Sequence, residues 1–274
     1  MATGRDTDGV APLRGAEALE FRRVVLDFYA RQGRSFPWRE TSDPWRILVS
    51  EVMLQQTQTH RALPKYLAWF ERFPDADSLA RADLAEVYGA WKGLGYNSRA
   101  MRLRECARAI MRDHGGTVPC GERELLSLPC IGSYSARAIR AFAFGEPGAV
   151  LETNIRAALL FHFFPGMEKV PDKLLEPVAL AVMDAGDPRR WYYALMDYGA
   201  WLKKVEPNPA RASAVYARQS RFEGSPRQAR GALLRVLEGA GGALSMDEAV
   251  SLAGTERSRL EKAARELAAE GFVA

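Results

Sequence analysis

Leu125-Leu126-Ser127-Leu128-Pro129-Cys130-Ile131-Gly132-Ser133-Tyr134-Ser135-Ala136 is the stretch that decides the fold. It predicts a helix ending before Pro129, a tight turn carrying Ile131 inward, and a second helix starting near Ser133. Gly132 lets another group approach the backbone closely. The first amides of the second helix lack partners inside it, and the positive end of its dipole lies behind them. Ile131, Gly132 and Ser133 therefore read as a seat for one phosphate of a nucleic-acid backbone.

Outward from this hairpin the chain reads as helix after helix. Apolar residues recur at helical spacing over residues 17–32, 45–60, 61–72, 78–90, 98–114, 122–127, 133–144, 154–163, 172–185 and 190–202. The breaks fall at Pro44, Pro64, Pro74, Gly93, Gly95, Gly115, Gly116 and Pro129. No alternating strand pattern precedes residue 205, and no repeat recurs at a fixed period. The expectation is an all-α fold with two lobes over residues 17–202, preceded by a flexible stretch over 1–16. Residues 203–225 contain Pro207 and Pro209 and read as a basic linker. Residues 226–274 turn helical again, over 227–238, 246–253 and 256–270, and end in Gly271-Phe272-Val273. Three helices with a short apolar end resemble a helix-turn-helix or winged-helix module. A small helical interaction domain is the alternative.

Composition bounds the function. Apolar residues make up 47% of the 274, enough for a packed core. Lys and Arg number 38 against 34 acidic residues, a mild basic excess that permits an acidic partner. The excess is concentrated. Between residues 201 and 235, Lys203, Lys204, Arg211, Arg218, Arg221, Arg227, Arg230 and Arg235 face only Glu206 and Glu223. Such a strip favours phosphate contacts that position without specifying sequence, and a solvated linker is the bland alternative. Cys106, Cys120 and Cys130 are too few and too unevenly spaced for a disulfide framework or a four-ligand metal site. No signal peptide or membrane span is read, so a cytoplasmic location is expected.

Two acids are candidates for chemistry. Glu51 lies in Val49-Ser50-Glu51-Val52-Met53-Leu54-Gln55-Gln56-Thr57-Gln58, on a largely apolar helix. A carboxyl among such neighbours has a raised pKa and suits a general acid; a glutamate at the helix edge is the alternative. Glu152, in Leu151-Glu152-Thr153-Asn154, sits at a helix start, where the dipole favours the carboxylate. Taken alone it reads as a helix cap.

Together with Trp38-Arg39, Trp91-x-Gly93-Leu94-Gly95-Tyr96 and Ala194-Leu195-Met196-Asp197-Tyr198-Gly199-Ala200, these segments occur in an order and spacing that resemble the helix-hairpin-helix DNA glycosylases, most closely their MutY-type adenine glycosylase branch. The resemblance covers residues 20–202. It implies an enzyme of base excision repair that flips a base from duplex DNA and hydrolyses its glycosidic bond. Carried over, Glu51 matches the general acid, Glu152 the second catalytic acid and Asn154 the site residue beside it. Leu54, Gln55 and Gln56, with Thr57, match the wedge that fills the flipped base's gap. Leu94 and Tyr96 match residues near the opposite base, Trp38 and Arg39 line the pocket, and Asp197 is grouped with the DNA-binding residues. Tyr134 stands where strand-nicking relatives have a lysine. A phenol forms no Schiff base, so a monofunctional glycosylase without lyase activity is expected. The implied partner is double-stranded DNA with adenine mispaired with 8-oxoguanine or guanine, bound by a monomer at the bacterial nucleoid. A thymine or uracil mispaired with guanine, another modified base, and a non-catalytic DNA-binding protein on the same scaffold are the alternatives.

Four departures stand out. Relatives usually have Asp where this chain has Glu152, and misplacing a carboxylate by about an ångström can cost on the order of a hundredfold in rate. Relatives carry four cysteines for an iron–sulfur cluster, whereas residues 201–274 contain none; no cluster is expected, and the one candidate ion is a monovalent cation at the hairpin. Adenine glycosylases of this family usually end in a Nudix-like domain, whereas the tail here reads as short and helical. Cys130 stands where the hairpin motif usually has glycine, and cysteine lacks glycine's ease at positive φ. A tighter turn or a weaker phosphate contact is therefore expected.

Overall fold

The computed structural model describes residues 15–217, 221–241 and 243–269. Residues 1–14 of the expected flexible stretch, Arg218 of the basic strip and the terminal Gly271-Phe272-Val273 lie outside the described residues. Two compact units emerge: Met1–Trp91 with Arg99–Tyr216, and Lys92–Ser98 with Ala217–Ala274.

The first unit contains α1 (Gly15–Gln32), α2 (Pro44–Leu54), α3 (Thr59–Arg72), α4 (Ala76–Arg81), α5 (Leu84–Trp91), α6 (Ser98–Asp113), α7 (Glu122–Ser127), α8 (Ser133–Phe144), α9 (Thr153–Phe163), α10 (Asp172–Val182) and α11 (Pro188–Val205). One group packs α2 against α3 and α8, α3 against α5, and α7 against α8. Another packs α9 against α10 and α11, and α1 against α10 and α11; α8 meets α11 and joins the two groups. Among the described residues the only β pairing is an isolated bridge between Val170 and Ser213, as expected for an all-helical chain.

Helix α2 shows why a buried site can form. Asp43 accepts hydrogen bonds from the amides of Trp45 and Arg46, and Pro44 occupies the first turn, so the N-terminus is capped. Ile47, Leu48, Val49, Val52 and Met53 are all buried. Each such side chain contributes roughly 1.5–3 kcal/mol of burial. That drive holds the helix in the core together with its single carboxylate.

Several boundaries differ from the sequence reading, among them α10, which ends at Val182 and not at 185. The helix expected over 45–60 ends at Leu54, because Gln55 leaves helical geometry and Gln56 takes a left-handed φ of +53°. Pro64 lies inside α3 instead of breaking it. The helix expected over 78–90 is split, since Ala82 is extended and buried between α4 and α5. Helix α1 starts at Gly15, inside the stretch expected to be flexible.

The expected linker over 203–225 is another correction. Lys203 and Lys204 finish α11, and Pro209–Ala212 form a 3-10 turn packed on α9. The Val170 amide donates to the Ala212 carbonyl at 2.8 Å, and the Ala214 amide donates to Val170 at 2.9 Å. Ala210 and Ser213 are small enough to be buried there. The segment after α11 therefore belongs to the first unit as far as Tyr216.

The second unit contains α12 (Pro226–Ala240), α13 (Met246–Ala253) and α14 (Arg257–Ala269). Ala229, Leu233, Ala249, Leu260, Ala263 and Leu267 form its core. It also takes in the 92–98 loop between α5 and α6, an assignment the sequence reading lacked.

Candidate active site

Glu51 is the centre of the site. It is only 7% exposed among the apolar residues of α2. Burial pushes its pKa from 4.5 to about 7; a hydrogen bond from Tyr134 opposes the rise, the charge of Glu152 adds to it, and Arg39 opposes it. A carboxyl poised there can hold a proton at neutral pH and release it to a leaving group.

Tyr134, in the first turn of α8, donates its hydroxyl to Glu51. Burial, then the charges of Glu51 and Glu152, push its own pKa well above 10, so it stays a donor and does not titrate in the working range.

Glu152 caps α9. One carboxylate oxygen accepts from the amides of Asn154 at 2.7 Å and Ile155 at 2.8 Å, and the other accepts from Asn154 Nδ2 at 3.1 Å. The longer side chain thus folds back onto the start of α9 and is fixed there. Burial raises its pKa, opposed by the two amides and by the charges of Lys203 and Arg156. Gly199 on α11 keeps this corner close. A Cβ added there would stand 1.9 Å from the Asn154 carbonyl oxygen.

Arg39 is gripped. Its guanidinium donates to both oxygens of Asp197 at 2.9 and 3.0 Å and lies 4.6 Å from the Tyr193 ring centroid. Arg34 donates to the same carboxylate through its backbone amide and its side chain. Asp197 was grouped with the DNA-binding residues; it is instead a 3% exposed ion-pair hub tying α11 to the segment before α2. Burial raises its pKa, but the hydrogen bonds and charge of Arg39, with those of Arg34, outweigh this and leave it lowered. Trp38 is packed in the core, stacked on Phe36 and edge-on to Tyr66.

Of the residues expected to form a wedge, Leu54 and Gln55 are half-buried and Gln56 is exposed. Gln55 Nε2 stands 3.5 Å from the Ser135 hydroxyl of α8. Thr57 is buried and accepts from Arg99. Arg99 on α6 was not singled out from the sequence. Its guanidinium donates to the carbonyls of Val52, Met53 and Gln55 at 2.8, 3.1 and 2.7 Å and to the Thr57 hydroxyl at 3.1 Å. It thus satisfies the carbonyl end of α2 and fixes the turn that presents Gln55 and Gln56. Tyr193 was also missed; it stacks on Phe142 at 4.5 Å and lies beside Arg39 and Glu51. Both residues join the site through contacts distant in sequence, and their only local signal is a polar or aromatic side chain on a packed helix face.

The hairpin forms as read. The Ile131 amide donates to the Leu128 carbonyl at 3.3 Å, Ile131 is buried, and Gly132 and Ser133 are exposed at the start of α8. Gly132 has an extended backbone and open space where a Cβ would stand, so no contact within the described residues requires a glycine there. Cys130 adopts φ +66° despite its side chain. A hydrogen bond with Cys130, together with burial, pushes the thiol of Cys106 on α6 far up.

Leu94 and Tyr96 fall in the second unit. Leu94 is buried. Gly93, Gly95 and Tyr96 all have positive φ, and the Tyr96 hydroxyl receives a hydrogen bond from Arg227 of α12 at 3.2 Å. Lys92 pairs with Glu238 of the same helix at 2.6 Å. Among the described residues no group of three or more His, Cys, Asp or Glu side chains could hold a metal ion, and no helix is long and apolar enough to cross a membrane.

Residues 49–179 match the HhH-GPD superfamily of base excision DNA repair proteins. The chain belongs to this family of DNA glycosylases. An adenine DNA glycosylase of Mycobacterium tuberculosis is 36% identical over 243 residues, spanning 79% of this chain and 78% of that one. The Homo sapiens adenine DNA glycosylase is 34% identical over 197 residues, 68% of this chain and 36% of that one. Among solved structures, a thermostable thymine-DNA glycosylase aligns with a TM-score of 0.61 at 28% identity, covering 68% of this chain and 87% of that one. A non-covalent endonuclease III–DNA complex shares the fold at a TM-score of 0.58 and 16% identity, over 67% and 85% of the two chains.

Proposed function

We propose that this chain is a monofunctional adenine DNA glycosylase acting on adenine mispaired with 8-oxoguanine or guanine. The observation that carries the reading is Glu51, a buried carboxyl with a pKa near 7 beside a tyrosine in place of an amine. The amides at the start of α8 and the exposed Gly132 and Ser133 hold a phosphate, while Leu54, Gln55 and Gln56 fill the space left by the flipped nucleotide. Leu94 and Tyr96 meet the opposite base. Protonated Glu51 gives its proton to a ring nitrogen of the base as the bond from that base to the sugar breaks. The cationic sugar forms opposite the fixed Glu152 carboxylate, which stabilises it. Water adds to the sugar, and Glu51 takes up the proton that water loses. Tyr134 holds Glu51 in place and offers no nucleophile, so the product is an abasic site in an uncut strand.

The protein works as a monomer on duplex DNA in the cytoplasm, without an iron–sulfur cluster; the absence of cysteine from residues 201–274 supports this. The monovalent cation at the hairpin is part of the same proposal, tested by replacing potassium with lithium at constant ionic strength during duplex binding. The central experiment uses Glu51→Gln on duplexes carrying adenine, thymine or uracil in mispairs, each treated with alkali to reveal abasic sites. Wild type cleaves the adenine duplexes and the variant none, while the variant still binds them. Full activity in the variant, or release of thymine or uracil alone, refutes the reading.

A further inference from the structure

The three C-terminal helices carry features that base excision does not use. Ser245 and Glu248 form a capping box that starts α13, whose last turn ends at Gly254 with φ +58°. Only Gly254, Thr255 and Glu256 separate α13 from α14, and the Glu256 carbonyl accepts from the amides of Arg259 and Leu260. Leu260, Ala263 and Leu267 turn inward against Ala229, Leu233 and Ala249, so one face of α14 is spent on the core. Two helices joined by so short a glycine turn, with a third packed behind them, have the connectivity of a helix-turn-helix.

The outer face of α14 is cationic. Ser258, Arg259, Lys262 and Arg265 are exposed along it. The acids on this helix are occupied: Glu261 pairs with Arg257 at 3.4 Å and Glu266 with Arg230 at 3.3 Å. Arg259 shares Glu256 at 3.3 Å, whereas no carboxylate among the described residues pairs with Lys262 or Arg265. Lys262 and Arg259 also line a cavity of about 170 Å³ beside Gly224 and Pro226, at the start of α12. Two unpaired cations and a hydroxyl along an exposed second helix complement the phosphates bordering a DNA groove.

We propose that α14 is the recognition helix of a second duplex-DNA-binding surface on this chain. Lys262 and Arg265 neutralise backbone phosphates, and Ser258 lies on the same outer face.

The test uses the full chain and a fluorescein-labelled, undamaged duplex, so its outcome is separate from that of the excision reading. Binding is followed by anisotropy across a salt series for wild type, Lys262→Glu/Arg265→Glu and Lys262→Ala/Arg265→Ala. Losing two phosphate contacts lowers the slope of log affinity against log salt by about 2. The charge-reversed variant is expected to bind roughly tenfold or more weakly at about 0.1 M salt, with the alanine variant between it and wild type. Circular dichroism identifies a misfolded variant, in which case the alanine pair decides. Unchanged affinity and slope in the folded variants overturn the proposal, as does a loss confined to single-stranded DNA of the same sequence.

Discussion

Replacing Glu51 by glutamine should make the protein more stable as well as inactive, and by an amount that depends on pH. The folded chain raises the Glu51 pKa from 4.5 to about 7. A raised carboxyl is held more tightly as the acid in the folded state. Its stability is fully present below the unfolded value and is lost as pH climbs through the folded one. The rise of about 2.5 units, at about 1.36 kcal/mol per unit, amounts to about 3 kcal/mol. Glutamine does not titrate. The two proteins should therefore differ little in this contribution near pH 4.5, the variant should gain between about pH 4.5 and 7, and the gain should stay level above that. Urea unfolding of both proteins over a pH series reads the difference directly. A flat difference, or one that grows toward acid, would show that the folded chain does not raise this carboxyl's pKa, and the general-acid argument would lose its physical basis.

Tyr134→Phe removes a hydrogen bond that favours the Glu51 carboxylate, so the Glu51 pKa moves further up. Such a bond is worth about 1.5–3 kcal/mol, and single-turnover excision should keep its rate to a pH about one to two units higher than wild type. Arg99→Ala leaves the Val52, Met53 and Gln55 carbonyls without their donor; thermal or urea unfolding should show a loss of about 3–5 kcal/mol, with Arg99→Lys recovering only part. Gly199→Ala forces α11 away from Asn154 and displaces Glu152, so excision should fall on the order of a hundredfold while duplex binding, read by anisotropy, holds.

Much of the fold was legible because its signals are local. Met246–Ala253 has the bounds the sequence pattern predicts, and its capping serine and terminal glycine show why they are sharp. Glu51 stood out because a lone carboxylate among Val49, Val52 and Met53 conflicts with its surroundings. Other features are set by distant partners. Arg99 reaches carbonyls 44 to 47 residues away, and nothing near it in sequence marks them. Cys130, where a tighter turn or a weaker phosphate contact is expected, takes the left-handed φ of +66°, at a cost of about 1–2 kcal/mol that no local sequence signal announces. Glu152 reads as a cap from its own neighbours and as a catalytic acid only from the resemblance; the structure shows the cap. Asp197 was mistaken for a DNA contact because both of its arginines lie more than 150 residues upstream.

The loop over 92–98 has a consequence for synthesis. It leaves the ribosome between two helices of the first unit, yet Arg227, which fixes Tyr96, follows it by 131 residues. At about 5–20 residues per second, the loop waits on the order of ten seconds for that partner. The nascent chain can complete Glu51, Tyr134 and Glu152 before Tyr96 is set in place. A segment translated later thus matures a loop made earlier, and a chain cut short before α12 lacks the hydrogen bond that orients that tyrosine.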